Sequence, residues 1–181
     1  MTSPPAAIQP TLPPPPFPVQ WFAVQTLARH EKRVEAHLLD KRISTYLPLL
    51  QKVQQWSDRR KQVQVPLFGC YLFVRIPSFW EPRLQVLKTF GVLSFVGSEG
   101  QGTAIPDEEI ESIRAILREK VAYGLHPFVR TGRRVRIRGG SLDGIEGILV
   151  GQNRDQSVVV SVQLLQRSLA IRVEGYQIEL I

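Results

Sequence analysis

One run, V-P-L-F-G-C-Y-L-F-V-R-I from Val65 to Ile76, constrains the fold of this chain more than any other stretch. From Phe68 to Val74, five of seven positions carry large apolar or aromatic side chains. β-Branched and aromatic residues in so short a run favour a strand, because they fit a pleated surface and lose rotamer freedom in a helix. A strand that is apolar at nearly every position has to be covered on both faces, so the run is expected in the interior of a sheet. Phe68, Tyr71 and Phe73 still bring more aromatic surface than a small sheet usually hides. Plain core and a partner-binding face both remain open readings of it.

The residues before this run prepare a layered α+β unit. Residues 1–18 form a tail with no charged side chain and a proline run from Pro13 to Pro16. Such a segment favours polyproline II and cannot build a core; it is expected to be a disordered leader, with a proline-groove ligand as the other reading. Val19 to Thr26 reads as a strand that sends Trp21 and Phe22 to opposite faces. Ala28 to Arg42 reads as a helix with Leu27, Val34 and Leu38 along its buried stripe. His30, Arg33 and His37 stand at i, i+3 and i+7, so with Arg29 they make a basic ridge beside that stripe; a solvated helix face is the bland alternative. Gln51 to Val65 reads as a hairpin with Arg59, Arg60 and Lys61 at its tip.

After the central run, Glu81 to Thr89 suits a short helix and Gly91 to Gly97 a strand. Ile105-Pro106-Asp107-Glu108-Glu109 then opens a further helix, with proline at the entrance and acids where the helix dipole favours them. Ile110, Ile113, Leu117 and Val121 supply its buried stripe, and Gly124 is expected to end it. From Phe128 onward helical periods vanish. Val135 and Ile137, Ile148 and Val150, Val158 to Val162, and Ala170 to Val173 point to a small barrel of about five short strands.

Composition narrows the function classes. A formal charge of +7 and a pI near 10.0 favour polyanionic company, nucleic acid or a machine that carries it. The single cysteine, Cys70, excludes an internal disulfide and fits a reducing, cytoplasmic compartment. No run approaches a membrane span, and the N-terminus lacks the basic and apolar regions of a secretory signal. His30, His37, His126 and Cys70 do not have metal-ligand spacing, and neither a phosphate-binding loop nor a nucleophile elbow occurs. No catalytic residue, metal or cofactor is expected. The chain reads as a non-enzyme.

Two sets of motifs identify a family. Residues 132–149 read G-R-R-V-R-I-R-G-G-S-L-D-G-I-E-G-I-L. Val135 and Ile137 alternate inward while Arg134, Arg136 and Arg138 alternate outward. Gly132 opens the segment, and Gly140, Gly144 and Gly147 punctuate a turn that needs positive φ or close approach. This resembles the KOW motif of transcription elongation factors and some ribosomal proteins. Upstream stand Trp21-Phe22, a helix with Glu31 and Val34, Tyr46-x-Pro48, P-L-F-G-C-Y-L-F-V at 66–74, G-V-L-S-F-V-G at 91–97 and I-P-D-E-E-I at 105–110. Their order resembles the NGN domain of the NusG family. The resemblance divides the chain into a tail (1–18), an NGN domain (19–122), a linker (123–128) and a KOW domain (129–181).

The resemblance implies a monomeric transcription elongation factor that docks an apolar face on the clamp helices of RNA polymerase's largest subunit and disfavours pausing. The face carried over is Trp21 or Phe22 with Leu67, Phe68, Tyr71 and Phe73. The P-L-F-x-x-Y-L-F-V strand is closer to the specialised RfaH and capsule-operon types, antiterminators at selected operons, than to general NusG. In the RfaH type the first helix touches non-template DNA; Arg33 and His37 match such positions and His30 stands where a polar residue would. The gate-loop cluster of that type is missing near Pro82 to Gln85, where Arg83 and Gln85 are the available substitutes. The KOW barrel implies a small-subunit ribosomal protein or Rho as partner, or nascent RNA on Arg133, Arg134, Arg136 and Arg138. A KOW-type RNA-binding or ribosome-associated protein is the alternative from another class.

Within the opening run, the resemblance gives Leu72 and Val74 to the core and Phe68, Tyr71 and Phe73 to the polymerase. Strict alternation agrees for all but Phe68, which has the wrong parity unless Gly69-Cys70 breaks the register.

Overall fold

The computed structural model describes residues 17–55, 60–97, 101–119, 123–126, 132–150, 157–162, 165, 167–173 and 176–181. In chain order the first unit holds β1 (Val19–Thr26), α1 (Glu31–Asp40), β2 (Ser44–Tyr46), β3 (Leu49–Gln55), β4 (Arg60–Pro66), β5 (Tyr71–Pro77), α2 (Trp80–Leu87), β6 (Val92–Phe95), β7 (Ala104–Ile105) and α3 (Asp107–Arg118). Its main sheet runs β2-β5-β1-β6, with β7 also paired to β1, and β3 and β4 form a separate hairpin. All pairs in it are antiparallel.

Period-2 alternation in β1 and β5 builds two cores on opposite faces of this sheet. Phe22, Val24, Leu72, Val74 and Ile76 meet Val34 and Leu38 of α1 and Val86 of α2. Trp21, Ala23 and Phe73 belong instead with Ile105 and with Ile110, Ile113 and Ile116 of α3. The α+β sandwich expected from the sequence is therefore the observed architecture. Three local readings change. Leu27 precedes α1 and is exposed, because Arg29 takes φ +64 and the helix begins only at Glu31. The buried residues of α1 are instead Glu31, Val34 and Leu38. The opening run is not one strand: Val65 and Pro66 finish β4, a turn follows, and only Tyr71 onward lies in the interior strand β5.

The second unit holds β8 (Tyr123–His126), β9 (Arg133–Arg138), β10 (Glu146–Val150), β11 (Ser157–Val162), β12 (Arg167–Arg172) and β13 (Gln177–Leu180). They form an antiparallel sheet in the order β13-β9-β10-β11-β12-β8. The strand beyond the expected five is β8, drawn from the stretch assigned to the linker. Gly124 does not end α3; it pairs with Ala170 in β8, while α3 stops at Arg118 and Glu119 is already extended. Pairing with β12 satisfies an edge of backbone groups that would otherwise stand open. Val121 lies outside the described residues.

Residues 132–149, expected to form a KOW motif, bury their alternating apolar positions. Val135 and Ile137 are fully buried, and Gly144 takes φ +83 as its N–H donates to the Ile137 carbonyl at 2.8 Å. At Gly147 an added Cβ would lie 2.6 Å from the Val159 carbonyl oxygen, so only glycine allows β10 and β11 to approach this closely.

The two units are not separate. α3 packs on β11 and on the short helical turn Gly140–Leu142. One buried cluster runs from Trp21, Phe68 and Phe73 through Ile110, Ile113 and Ile116 into Val135, Leu142, Val158 and Val160.

Candidate functional site

The aromatic face begins with the turn between β4 and β5. The Leu67 N–H donates to the Pro48 carbonyl at 2.8 Å, and the Tyr71 N–H donates to the Phe68 carbonyl at 3.2 Å. Between them Cys70 sits at φ +67, a conformation disfavoured for a residue with a Cβ. This turn breaks the register. Phe68 therefore reaches the face of Phe73 despite its parity, with ring centroids 6.2 Å apart at 87°. Tyr46 stacks on Phe73 at 6.1 Å, and Trp21 meets Tyr46 edge-on at 6.4 Å.

Arginines rim this ladder of rings. The Arg114 guanidinium lies 4.6 Å from the Tyr46 centroid and 5.0 Å from that of Trp21, and it pairs with Glu111 at 2.6 Å. Arg75 lies 5.8 Å from the Trp21 ring and pairs with Asp107 at 3.1 Å. Burial pushes the Tyr46 phenol up to about 12, against the opposing pull of the Arg114 charge. The phenol therefore stays protonated and uncharged throughout the neutral range.

Exposure sorts the residues expected on this face. Trp21, Leu67, Phe68 and Phe73 are buried, within the cluster shared with the second unit. Tyr71 is half-buried and packs at its margin. Phe22 is a correction: alternation turns it to the opposite core, where its ring meets Phe95 at 6.0 Å.

The basic ridge lies across the sheet, on the outer side of α1. His30 precedes the first turn, its Nδ1 3.0 Å from the Ala28 carbonyl oxygen, and exposed Arg29 stands beside it. Sequence reasoning missed the centre of this surface. Phe90, just beyond α2, is 62 % exposed, with the Arg33 guanidinium 5.4 Å from its ring centroid and His30 edge-on at 6.0 Å. His37, Asp40, Lys41, Lys88, Thr89 and Phe90 line an open groove of about 370 Å³. Lys41 Nζ donates to Thr89 Oγ1 at 2.7 Å and to the Gln85 carbonyl at 3.1 Å, fixing α1 against α2. The one sequence signal for Phe90 was a large aromatic between a helix and Gly91, in a stretch with no pattern to bury it. Arg59 lies outside the described residues, and for Arg60 only the backbone, at the start of β4, is described.

Two further expectations change. Arg83 is turned inward: its guanidinium lies 4.6 Å from the Phe22 centroid and donates to the Gln101 carbonyl, so of the two substitutes only Gln85 is presented outward. The outward arginines of β9 are engaged, Arg134 and Arg136 with Glu146 at 3.3 and 2.5 Å and Arg138 with Glu179 at 2.6 Å. The hydrogen bonds between Arg136 and Glu146 hold the Glu146 carboxyl below the usual carboxylate range and raise Arg136. Among the described residues no group of His, Cys, Asp and Glu could hold a metal, and no helix is long and apolar enough to cross a membrane.

Known proteins are similar to this chain in sequence and fold. The family model described as "Transcription termination factor nusG" matches residues 19–114. Proteins named transcription termination/antitermination protein NusG are similar to the chain. That of Borreliella burgdorferi is 29 % identical over 179 residues, covering 88 % of this chain and 97 % of the relative. That of Lactococcus lactis is 29 % identical over 175 residues, covering 90 % and 94 %. A solved structure of Thermotoga maritima NusG, described by its domain interaction, shares the fold with a TM-score of 0.50 at 20 % identity, covering 88 % of this chain and 97 % of that one. A match to the family model over more than half its length, together with these full-length relatives, means that the chain belongs to the NusG family.

Proposed function

We propose that this NusG-type factor acts in the cytoplasm as a bridge between RNA polymerase and exposed nucleic acid, suppressing pausing and termination during elongation. The observation that carries the reading is the division of one sheet. Its α3 side holds the aromatic ladder of Trp21, Tyr46, Phe73 and Phe68 with Leu67 and Tyr71, and its α1 side holds the basic ridge around Phe90. The aromatic side suits the clamp helices of the largest subunit, since buried aromatic anchors dominate helix-binding faces. The other side suits single-stranded nucleic acid, such as the non-template strand: a base stacks on Phe90 while Arg33, Lys41 and Lys88 meet phosphates.

The nucleic-acid arm has a direct test. Base stacking on an aromatic is worth about 1–3 kcal/mol. Phe90→Ala is therefore expected to weaken binding to elongation complexes with an open non-template strand about tenfold, while leaving binding to polymerase without nucleic acid unchanged. Equal losses in both assays would place Phe90 on the polymerase side. Selective recruitment at chosen operons, the narrower expectation, is supported by the mixed aromatic and polar lining of this groove. Varying the non-template sequence tests it, and uniform binding would favour a general factor.

The shared cluster favours a second feature, in which the docked C-terminal sheet limits access to the aromatic face until it leaves α3. The ion pairs of β9 reduce its free positive charge and support a protein partner for this sheet, a small-subunit ribosomal protein or Rho, over nascent RNA.

A further inference from the structure

We infer that Glu31 is a positioning residue for the aromatic face: its carboxylate latches the Phe68–Tyr71 turn to the start of α1. This rests on the reading of that face as the polymerase-docking surface. A glutamate in the first turn of a helix ordinarily faces water, where it complements the helix dipole. Glu31 is only 6 % exposed, and its Oε1 accepts a hydrogen bond from the Cys70 N–H at 2.7 Å, across 39 positions of sequence. Burying a carboxylate is costly unless strong hydrogen bonds compensate, so the site keeps Glu31 for what it holds.

What it holds is the strained residue of the turn. Cys70 occupies φ +67, where glycine would be unstrained, while the neighbouring Gly69 has open space where a Cβ would stand. The Cys70 carbonyl accepts from the Thr26 N–H at 2.8 Å, and the Glu31 carboxylate takes the N–H on the other side of the residue. Held from both sides, the turn keeps the register break that brings Phe68 edge-on to Phe73 and leaves Tyr71 at the margin. The latch also joins the two surfaces, because Glu31 is the first residue of α1, next to His30 and in the helix that carries Arg33. A contact that shifts the start of α1 is transmitted to the turn bearing Phe68.

Full-length chains carrying Glu31→Ala, Glu31→Gln, and Glu31→Ala with Cys70→Gly separate this role from general stability. Glu31→Ala is expected to bind purified RNA polymerase about tenfold more weakly and to speed exchange of the Cys70 amide. Glu31→Gln retains an accepting oxygen and should stay within about twofold of the parent. Cys70→Gly should restore most of the affinity lost in Glu31→Ala, because glycine adopts the turn without the latch. Wild-type Cys70 exchange in Glu31→Ala would overturn the latch. Faster exchange with unchanged polymerase binding would overturn the positioning role, provided Tyr71→Ala weakens binding in the same assay. Unchanged binding in Tyr71→Ala as well would instead refute the docking face, and Cys70 exchange alone would then decide the latch.

Discussion

Phe73→Ala is expected to lower the unfolding free energy of the first unit by about 3–5 kcal/mol, seen as a large drop in the urea midpoint with little change in slope. Phe73 has no exposed surface, stacks on Tyr46 and meets Phe68 edge-on, so truncation removes its own burial together with the stacking contact to Tyr46 and the edge contact to Phe68. The sheet around it is paired on both sides, through Tyr46 on β2 and Ala23 on β1, and cannot collapse into the void. A cost below about 1 kcal/mol would mean that the ring is not core. For the same reason, truncating Phe68, Tyr71 and Phe73 together is a poor test of docking: it would destroy the face by unfolding it. Tyr71, half-buried at the edge of the cluster, is the position where a loss of docking can be told apart from unfolding.

The second large effect is expected at Gly147. Gly147→Ala places a methyl 2.6 Å from both the Val158 Cγ1 and the Val159 carbonyl oxygen, and 3.1 Å from the Val159 carbonyl carbon. A side-chain methyl can turn away, but the carbonyl belongs to the strand that pairs with β10 and cannot move without opening the ladder. The expected cost is about 3 kcal/mol, the upper end of overpacking, read as early loss of amide protection in β10 and β11. Gly144→Ala is the comparison. It meets no atom within 4 Å and carries only the conformational penalty of φ +83, about 1–2 kcal/mol. Equal losses at the two positions would show that close approach is not what Gly147 provides.

The sequence was most legible where a period meets a buried face. Alternation in Val19 to Thr26 and in Val135 to Ile137 is local, so it survives any tertiary arrangement, and both strands stand where it puts them. Parity also exposed the oddity of Phe68 and pointed to Gly69-Cys70 as its cause. The bond that secures that turn was not legible, because Glu31 and Cys70 meet only through the packing of α1 against the sheet. The choice between Trp21 and Phe22 was open for a similar reason: alternation separates the two without saying which face α3 covers. The β8 stretch reads as linker because a short strand gains its stability from the β12 edge, a long-range partner that leaves no period of its own. Phe90 stayed hidden because isolated exposed aromatics carry no pattern, and only the placement of Arg33 and His30 around it marks a surface.

If the α3 side of the sheet docks on RNA polymerase, Tyr71 at its half-buried margin lies in the contact. Affinity of the full-length chain for purified RNA polymerase, compared between the parent and Tyr71→Glu after confirming equal urea midpoints, tests it most directly. Placing a carboxylate in an apolar contact is expected to weaken binding at least about tenfold, as truncated interface anchors typically do. Undiminished affinity in Tyr71→Glu would refute docking through this face.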